Sequence, residues 1–185
     1  MDALVVRHRR SSDGFSRVAD AFGEKQWSLP TPCAEWDARA LVEHLIGFHE
    51  FLILRPLGIR ADRPREDPAA RWRATAGALF AILETDGALD RETELPGGGQ
   101  SSARQMLGAL TTDVLVHTWD LARAGGIEPR LDQELCATAY EAARSTPLNR
   151  DSGMIGAEIA VPAAADIEIR LIALYGRDPA WRAQA

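Results

Sequence analysis

Residues 101–126, with the sequence SSARQMLGALTTDVLVHTWDLARAGG, decide the fold class of this chain. Apolar residues recur there every three or four positions, which is the spacing of an amphipathic helix. Either Ser101 or Ser102 can cap its amino terminus, and two glycines follow its carboxyl terminus. The pattern predicts a helix with one apolar arc that includes a histidine, formed by Ala103, Leu107, Leu110, Val114, His117 and Leu121.

Five other segments have helical patterns. A first helix is predicted over residues 3–22, and Asp37 can cap a second one that runs to about residue 54. Asp67 followed by Pro68 has the form of a helix start, which predicts a third helix ending near residue 83. Shorter helices are predicted over residues 132–144 and 166–175. Four long amphipathic helices predict an all-α four-helix bundle with additional short C-terminal helices.

The remaining segments are predicted to connect these helices. Residues 55–66 contain Pro56, Gly58 and Pro64, and they are expected to end the second helix. Residues 86–101 are rich in glycine, with Gly97, Gly98 and Gly99 at the centre, and are expected to form a loop that is either a flap beside the site or a flexible connection. Residues 155–161 alternate like a strand, but one strand has no partner, so we expect extended chain.

Composition limits the functions that this chain can have. At 185 residues and 20.2 kDa, one domain over residues 1–185 can bury roughly 70% of its unfolded surface without a disulfide or metal staple. A net charge of −6 disfavours nucleic-acid binding. No segment has the features of a signal peptide or a membrane span, and the two cysteines, Cys33 and Cys136, are far apart in sequence. We therefore expect a cytoplasmic protein with reduced thiols and no membrane contact.

His117 is the first candidate for chemistry. Asp113 lies four residues before it and Asp120 three after, and both spacings bring side chains together on one helix face. A carboxylate and an imidazole at this spacing can bind the same cation, as they do in metal sites inside helical bundles. The alternative is a hydrogen-bonded core pair, which is the more common outcome of this spacing alone.

The second helix offers two histidines for the same site. His49 projects near the middle of the apolar arc, while His44 projects onto its flank. Periodicity does not select between them.

Three blocks of sequence together resemble a known family. Residues 27–45 read W-x2-PTPC-x2-WD-x3-L-x2-HL, and they are followed by DVLVHTWDLA at 113–122 and RLIALYGRDPAW at 170–181. In this order the blocks are similar to the mycothiol-dependent maleylpyruvate isomerase-like family of actinobacteria, a branch of the DinB/YfiT-like superfamily. The resemblance covers nearly the whole chain and implies a DinB/YfiT-like four-helix bundle.

The resemblance also implies a ligand set for a divalent metal, zinc or alternatively nickel. The family's histidine on the second helix corresponds to His44 and not to His49, and the two ligands of its middle motif correspond to Asp113 and His117. Thiol-dependent members of the family have glutamate where this chain has Asp113, which predicts weaker metal binding or none. Asp120 is expected to orient His117 or to pair with a neighbouring arginine.

The implied activity is the activation of a low-molecular-weight thiol, mycothiol or bacillithiol, for transfer to or isomerisation of a small molecule. A non-catalytic bundle that binds a ligand or a protein and keeps a vestigial metal pocket is the alternative, and a metal-dependent hydrolase is a third hypothesis. Cys33 is either a reactive thiol or a small buried residue in a proline-rich turn, and the second interpretation is favoured. The superfamily also allows a homodimer through helix faces.

Overall fold

The computed structural model describes residues 2–62, 66–95, 98–146, 148–152 and 155–183. Within these residues most of the chain is helical, and the all-α fold class is confirmed. Pro64 and Gly97, which were assigned to connections, lie outside the described residues. The helices are α1 (Ala3–Ala19), α2 (Ala38–His49), α3 (Pro68–Leu83), α4 (Ala103–Ala124), α5 (Gln133–Ser145) and α6 (Ile167–Leu174).

The helix starts follow the capping residues in the sequence. The Asp37 side chain accepts a hydrogen bond from the backbone of Ala40, and Asp67 does the same for the start of α3. Ser102, and not Ser101, caps α4 in a reciprocal arrangement with Gln105. Each cap satisfies backbone N–H groups that have no partner within the helix, so these boundaries were predictable.

Two helix ends differ from the prediction. The first helix ends at Ala19 instead of residue 22, because the chain turns there and the ring of Phe22 packs 4.8 Å from that of Trp27. Trp27 belongs to a short 3-10 helix, Glu24–Ser28. The second helix does reach residue 54, but its last turn, Glu50–Leu54, is a π-helix.

The prediction of a plain loop over residues 86–101 is wrong. Two short strands, β1 (Glu92–Glu94) and β2 (Gln100–Ser102), pair antiparallel, with Glu92 opposite Ser102. Gly98 and Gly99 have φ values of 93° and 95°, a conformation that allows the chain to reverse between the strands. Three polar residues per strand are too few to give an alternating pattern, so the sequence did not reveal the hairpin. Residues 155–161 belong to no strand, as predicted.

The core lies among α1, α2, α3 and α4. α1 packs along α4, α2 packs against both α3 and α4, and α5 and α6 form a smaller layer around Trp119. The predicted arc of α4 is buried in this core, including His117. No helix in the described part of the chain is both long and apolar enough to cross a bilayer.

Candidate metal centre

The three side chains implied by the resemblance converge between α2 and α4. His44 Nε2 lies 3.3 Å from Asp113 Oδ2, and His117 Nε2 lies 3.4 Å from Asp113 Oδ1. One nitrogen of each ring and a carboxylate oxygen lie within 4.8 Å of one another. Asp113 therefore stands between the two imidazoles and presents one oxygen to each.

Local structure explains this convergence. Asp113 and His117 share a face of α4 because they are four residues apart. His44 is held from both sides by aromatic rings, with Trp36 at 4.4 Å and Phe48 at 4.5 Å between ring centroids. Trp36 comes from the proline-rich turn before α2, so the first sequence block forms one wall of the site.

The two nitrogen–oxygen separations are close to those between neighbouring ligands of a tetrahedral metal ion, with a different oxygen of Asp113 in each. Ligand atoms that are 2.0–2.1 Å from zinc in a tetrahedral site are separated from each other by roughly 3.3–3.4 Å. His44 Nε2 and Asp113 Oδ2 are buried and form no hydrogen bond among the described residues. A buried polar atom without a partner costs about 1–3 kcal/mol, and a cation between the three side chains would remove that cost.

Asp120 holds His117 from the opposite side. His117 Nδ1 donates to Asp120 Oδ2 over 2.9 Å, and Arg177 Nη2 donates to the same oxygen over 3.0 Å. This hydrogen bond orients the ring so that Nε2 faces Asp113. Asp120 thus both orients His117 and pairs with an arginine, so the two expectations for this residue hold together.

Arg177 reaches Asp120 because of the turn that ends α6. Gly176 has a φ of 80°, and a Cβ atom at this position would lie 2.7 Å from the backbone of Gly156. Only glycine fits this close approach. The backbone N–H of Arg177 then donates to Ile172, which directs the chain back toward α4.

Cys33 also belongs to this cluster. Its Sγ accepts from Arg177 Nη2 over 3.2 Å and donates to Asp120 Oδ2 over 3.4 Å. The favoured interpretation of Cys33 as a residue that only fills a turn is therefore incomplete. Sequence spacing gave no role to Cys33 or Arg177, although both lie inside the blocks that carry the family resemblance.

The charges of the site reinforce one another. Burial alone would raise the pKa of Asp113, but the charge of His117 and the close approach of both imidazoles hold it well below its ordinary value. Burial likewise opposes the charged form of His117, yet Asp113 and Asp120 raise the pKa of His117 well above its ordinary value. In the metal-free protein His117 therefore carries a proton that a bound cation must displace.

His49 does not join this site. Its Nδ1 donates to the Leu45 carbonyl over 2.6 Å, and its Nε2 faces His8 Nε2 at 3.2 Å in the core. His8 also contacts Thr111, with 3.0 Å between Nδ1 and Oγ1. The structure thus separates the two histidines that periodicity left open, and it adds His8, which the sequence analysis did not single out.

Known proteins share both the sequence and the fold. Residues 8–54 match the family model described as the mycothiol maleylpyruvate isomerase N-terminal domain. The chain is 35% identical over 151 residues to the uncharacterized proteins MT0763 and Rv0738 of two Mycobacterium tuberculosis strains, CDC 1551 / Oshkosh and ATCC 25618 / H37Rv, covering 78% of this chain and 79% of each relative. The crystal structure of the mycothiol-dependent maleylpyruvate isomerase aligns with a TM-score of 0.51 at 14% identity, over 74% of this chain and 66% of that chain.

These matches define the class as an all-α helical bundle with the fold of the mycothiol-dependent maleylpyruvate isomerase structure. The chain belongs to the mycothiol-dependent maleylpyruvate isomerase-like family, together with the two mycobacterial relatives. At 14% identity the isomerase structure establishes the fold alone, and this chain spans just under two thirds of the isomerase's length.

Proposed function

We propose that this protein is a divalent-metal-dependent enzyme that activates a low-molecular-weight thiol of the mycothiol type. The activated thiol would be transferred to a small molecule or would catalyse its isomerisation. His44, Asp113 and His117 would hold the ion, with zinc as the first choice and nickel as the alternative. Family membership supports the thiol-dependent class of reaction. The two N–O separations of 3.3 and 3.4 Å, the first of them between buried atoms without a hydrogen-bond partner among the described residues, are the observation that supports the ion most directly.

Two imidazoles and one carboxylate are a donor set typical of catalytic zinc, which keeps a position for water or substrate. When bound, the ion would supply a Lewis acid that favours the thiolate form of a coordinated thiol at neutral pH. The shorter acid at position 113 does not prevent this arrangement, since its two oxygens already face the two rings.

The surrounding residues have separate tasks in this proposal. Asp120 keeps the proton of His117 on Nδ1 so that the Nε2 lone pair is free for the ion. Arg177 neutralises the fully buried Asp120 carboxylate, which would otherwise be costly to bury. Trp36 and Phe48 fix the ring of His44 and exclude water from one side of the site.

The side chain of Asp113 is 30% exposed, whereas those of His44 and His117 are 13% and 5% exposed. Substrate would therefore approach from the side of Asp113.

The proposal is tested with tag-free protein loaded with zinc and assayed for conversion of maleylpyruvate, with and without mycothiol. Turnover that requires both the metal and mycothiol, and that is lost in His44→Ala, is the expected result. Asp113→Glu, which restores the family's acid, is expected to retain activity and serves as the matched control. Metal binding without thiol-dependent turnover of this or related substrates, but with ester hydrolysis, would favour the hydrolase. Protein that binds no metal and turns nothing over would favour the binding bundle.

A further inference from the structure

A cleft that is separate from the metal centre runs between α1 and the segment that joins α4 to α5. Two adjoining cavities of about 140 and 380 Å³ form it, and both are lined by Gly14, Arg17, Thr118 and Arg130. The smaller cavity also includes Arg10. Three guanidinium groups therefore surround one cleft in a chain whose net charge is −6.

Two of these guanidiniums have no counter-ion. Arg10 is neutralised by Asp132 and Glu134 at 2.6 and 2.8 Å. Within the part of the chain that the structure describes, Arg17 and Arg130 form neither an ion pair nor a side-chain hydrogen bond, and both are exposed. Their donors are thus available to a ligand.

The other polar groups of the cleft bond to other residues. Glu128, which lines the larger cavity, lies 3.5 Å from Arg123 Nη1. Asp132 accepts from Arg10 and also caps α5 through the backbone of Glu134 and Leu135. The hydroxyl of Thr118 donates to the Val114 carbonyl over 2.7 Å. The groups of the cleft that lack a partner are therefore mainly the N–H donors of Arg17 and Arg130. A negatively charged acceptor would satisfy them.

Gly14 gives a second, independent indication. Glycine inside a helix costs roughly 0.5–1 kcal/mol relative to alanine. Packing does not require it here, because a Cβ atom at position 14 would meet only Arg17 Nη2, at 3.7 Å. Because glycine has no side chain, both cavities stay open where Gly14 and Arg17 line them.

We propose that this cleft binds the carboxylate or phosphate group of a small organic anion between Arg17 and Arg130. The planar guanidinium offers two parallel N–H donors that match the oxygens of either group. Leu115 and Leu131 line the smaller cavity, and Val18 and Ile127 line the larger one. The body of the ligand is therefore mainly apolar. This site does not depend on the metal proposal.

The test is equilibrium binding of inorganic phosphate and, separately, of benzoate, measured by calorimetry at constant ionic strength maintained with chloride. We expect saturable binding of at least one probe, weakened about 10-fold or more by Arg17→Gln and by Arg130→Gln, which is the loss expected for a charged hydrogen bond. Arg60→Gln removes the same charge from an exposed position outside the cleft and is expected to leave binding unchanged. Gly14→Leu places a bulky side chain in both cavities without changing the charge, and it is expected to weaken benzoate binding.

The relative affinities of the two probes distinguish a phosphate ligand from an aromatic carboxylate. The proposal is overturned if neither probe binds saturably, or if Arg17→Gln and Arg130→Gln bind the probes as well as Arg60→Gln does. The arginine variants change exposed side chains, so circular dichroism is expected to show unchanged helicity.

Discussion

At the scale of single residues, Asp113 determines what the pocket between α2 and α4 can bind. Its two oxygens each face one imidazole, so the carboxylate bridges the rings in the absence of a cation. The sequence predicted that an acid one methylene shorter than glutamate would hold metal weakly. The separations of 3.3 and 3.4 Å show that α4 brings Asp113 close enough for its oxygens to face both histidines, which the length of a side chain alone could not reveal.

Asp120 provides a prediction at the same scale. Asp120→Asn keeps the shape of the side chain but removes the charge that holds the proton on His117 Nδ1, so zinc affinity is expected to fall by about 10–100-fold. Competition with a chromophoric chelator measures this affinity. Far-UV circular dichroism of the variant controls for a general loss of structure. An unchanged zinc affinity in folded Asp120→Asn protein would contradict the role given to this residue.

At the scale of elements, the capping residues are the most predictable part of the fold. Ser102→Ala removes the hydroxyl that caps α4 and is expected to lower the free energy of unfolding by about 0.5–2 kcal/mol. Urea denaturation measures this change. Ser145→Ala, at the exposed end of α5, should stay within about 0.5 kcal/mol of the parent protein. Equal losses in the two variants would contradict the capping role.

The contact of α1 with α2 gives a pH prediction. Burial lowers the pKa of both His8 and His49 below that of a histidine in the unfolded chain, about 6.5. The unfolded chain then binds more protons as the pH falls below 6.5, so the folded state loses stability there, by up to about 1.4 kcal/mol per pH unit for each histidine. Above pH 6.5 both histidines are neutral in the folded and the unfolded chain, and the folded state keeps its full stability.

The measurement is the free energy of unfolding of metal-free protein between pH 7 and pH 5, compared with that of His8→Asn. The slope should be shallower in the variant, whatever its absolute stability. The lowered pKa values of Asp113 and Asp120 act only at lower pH, and the raised pKa of His117 acts above pH 6.5. Parallel curves for the two proteins would mean that the buried His8–His49 pair does not cause the loss of stability between pH 7 and pH 5.

The arrangement of the elements also explains why part of the site could not be predicted from the sequence. His117 was predictable because helical periodicity places it on a buried arc beside Asp113. Arg177 was not, because its position depends on the glycine contact between residues 156 and 176, which are distant from α4 in sequence. Periodicity left His44 and His49 as equal candidates, and His49, nearer the middle of the apolar arc, lies in the core against His8.

At the scale of the whole molecule, metal and fold are expected to be separable. The core contains large buried side chains such as Trp72 and Phe15 that do not contact the metal pocket, so chelated protein should remain folded. Zinc at about 100 times its dissociation constant adds about 2.7 kcal/mol, which corresponds to roughly 5–10 °C in Tm for a chain of this size. Differential scanning calorimetry checks both points.

His44→Ala is the control for this experiment and should show no zinc-dependent rise in Tm. If chelated protein is unfolded, the fold depends on the metal. If the rise persists in the variant, zinc acts at another site.

The central claim is that His44, Asp113 and His117 share one ion. Crystals of zinc-loaded protein, measured on both sides of the zinc absorption edge, test it most directly through the anomalous difference density. We predict one strong peak at about 2.0–2.2 Å from His44 Nε2, His117 Nε2 and an oxygen of Asp113. Density only at other positions, with the two rings still facing Asp113 directly, would contradict the account.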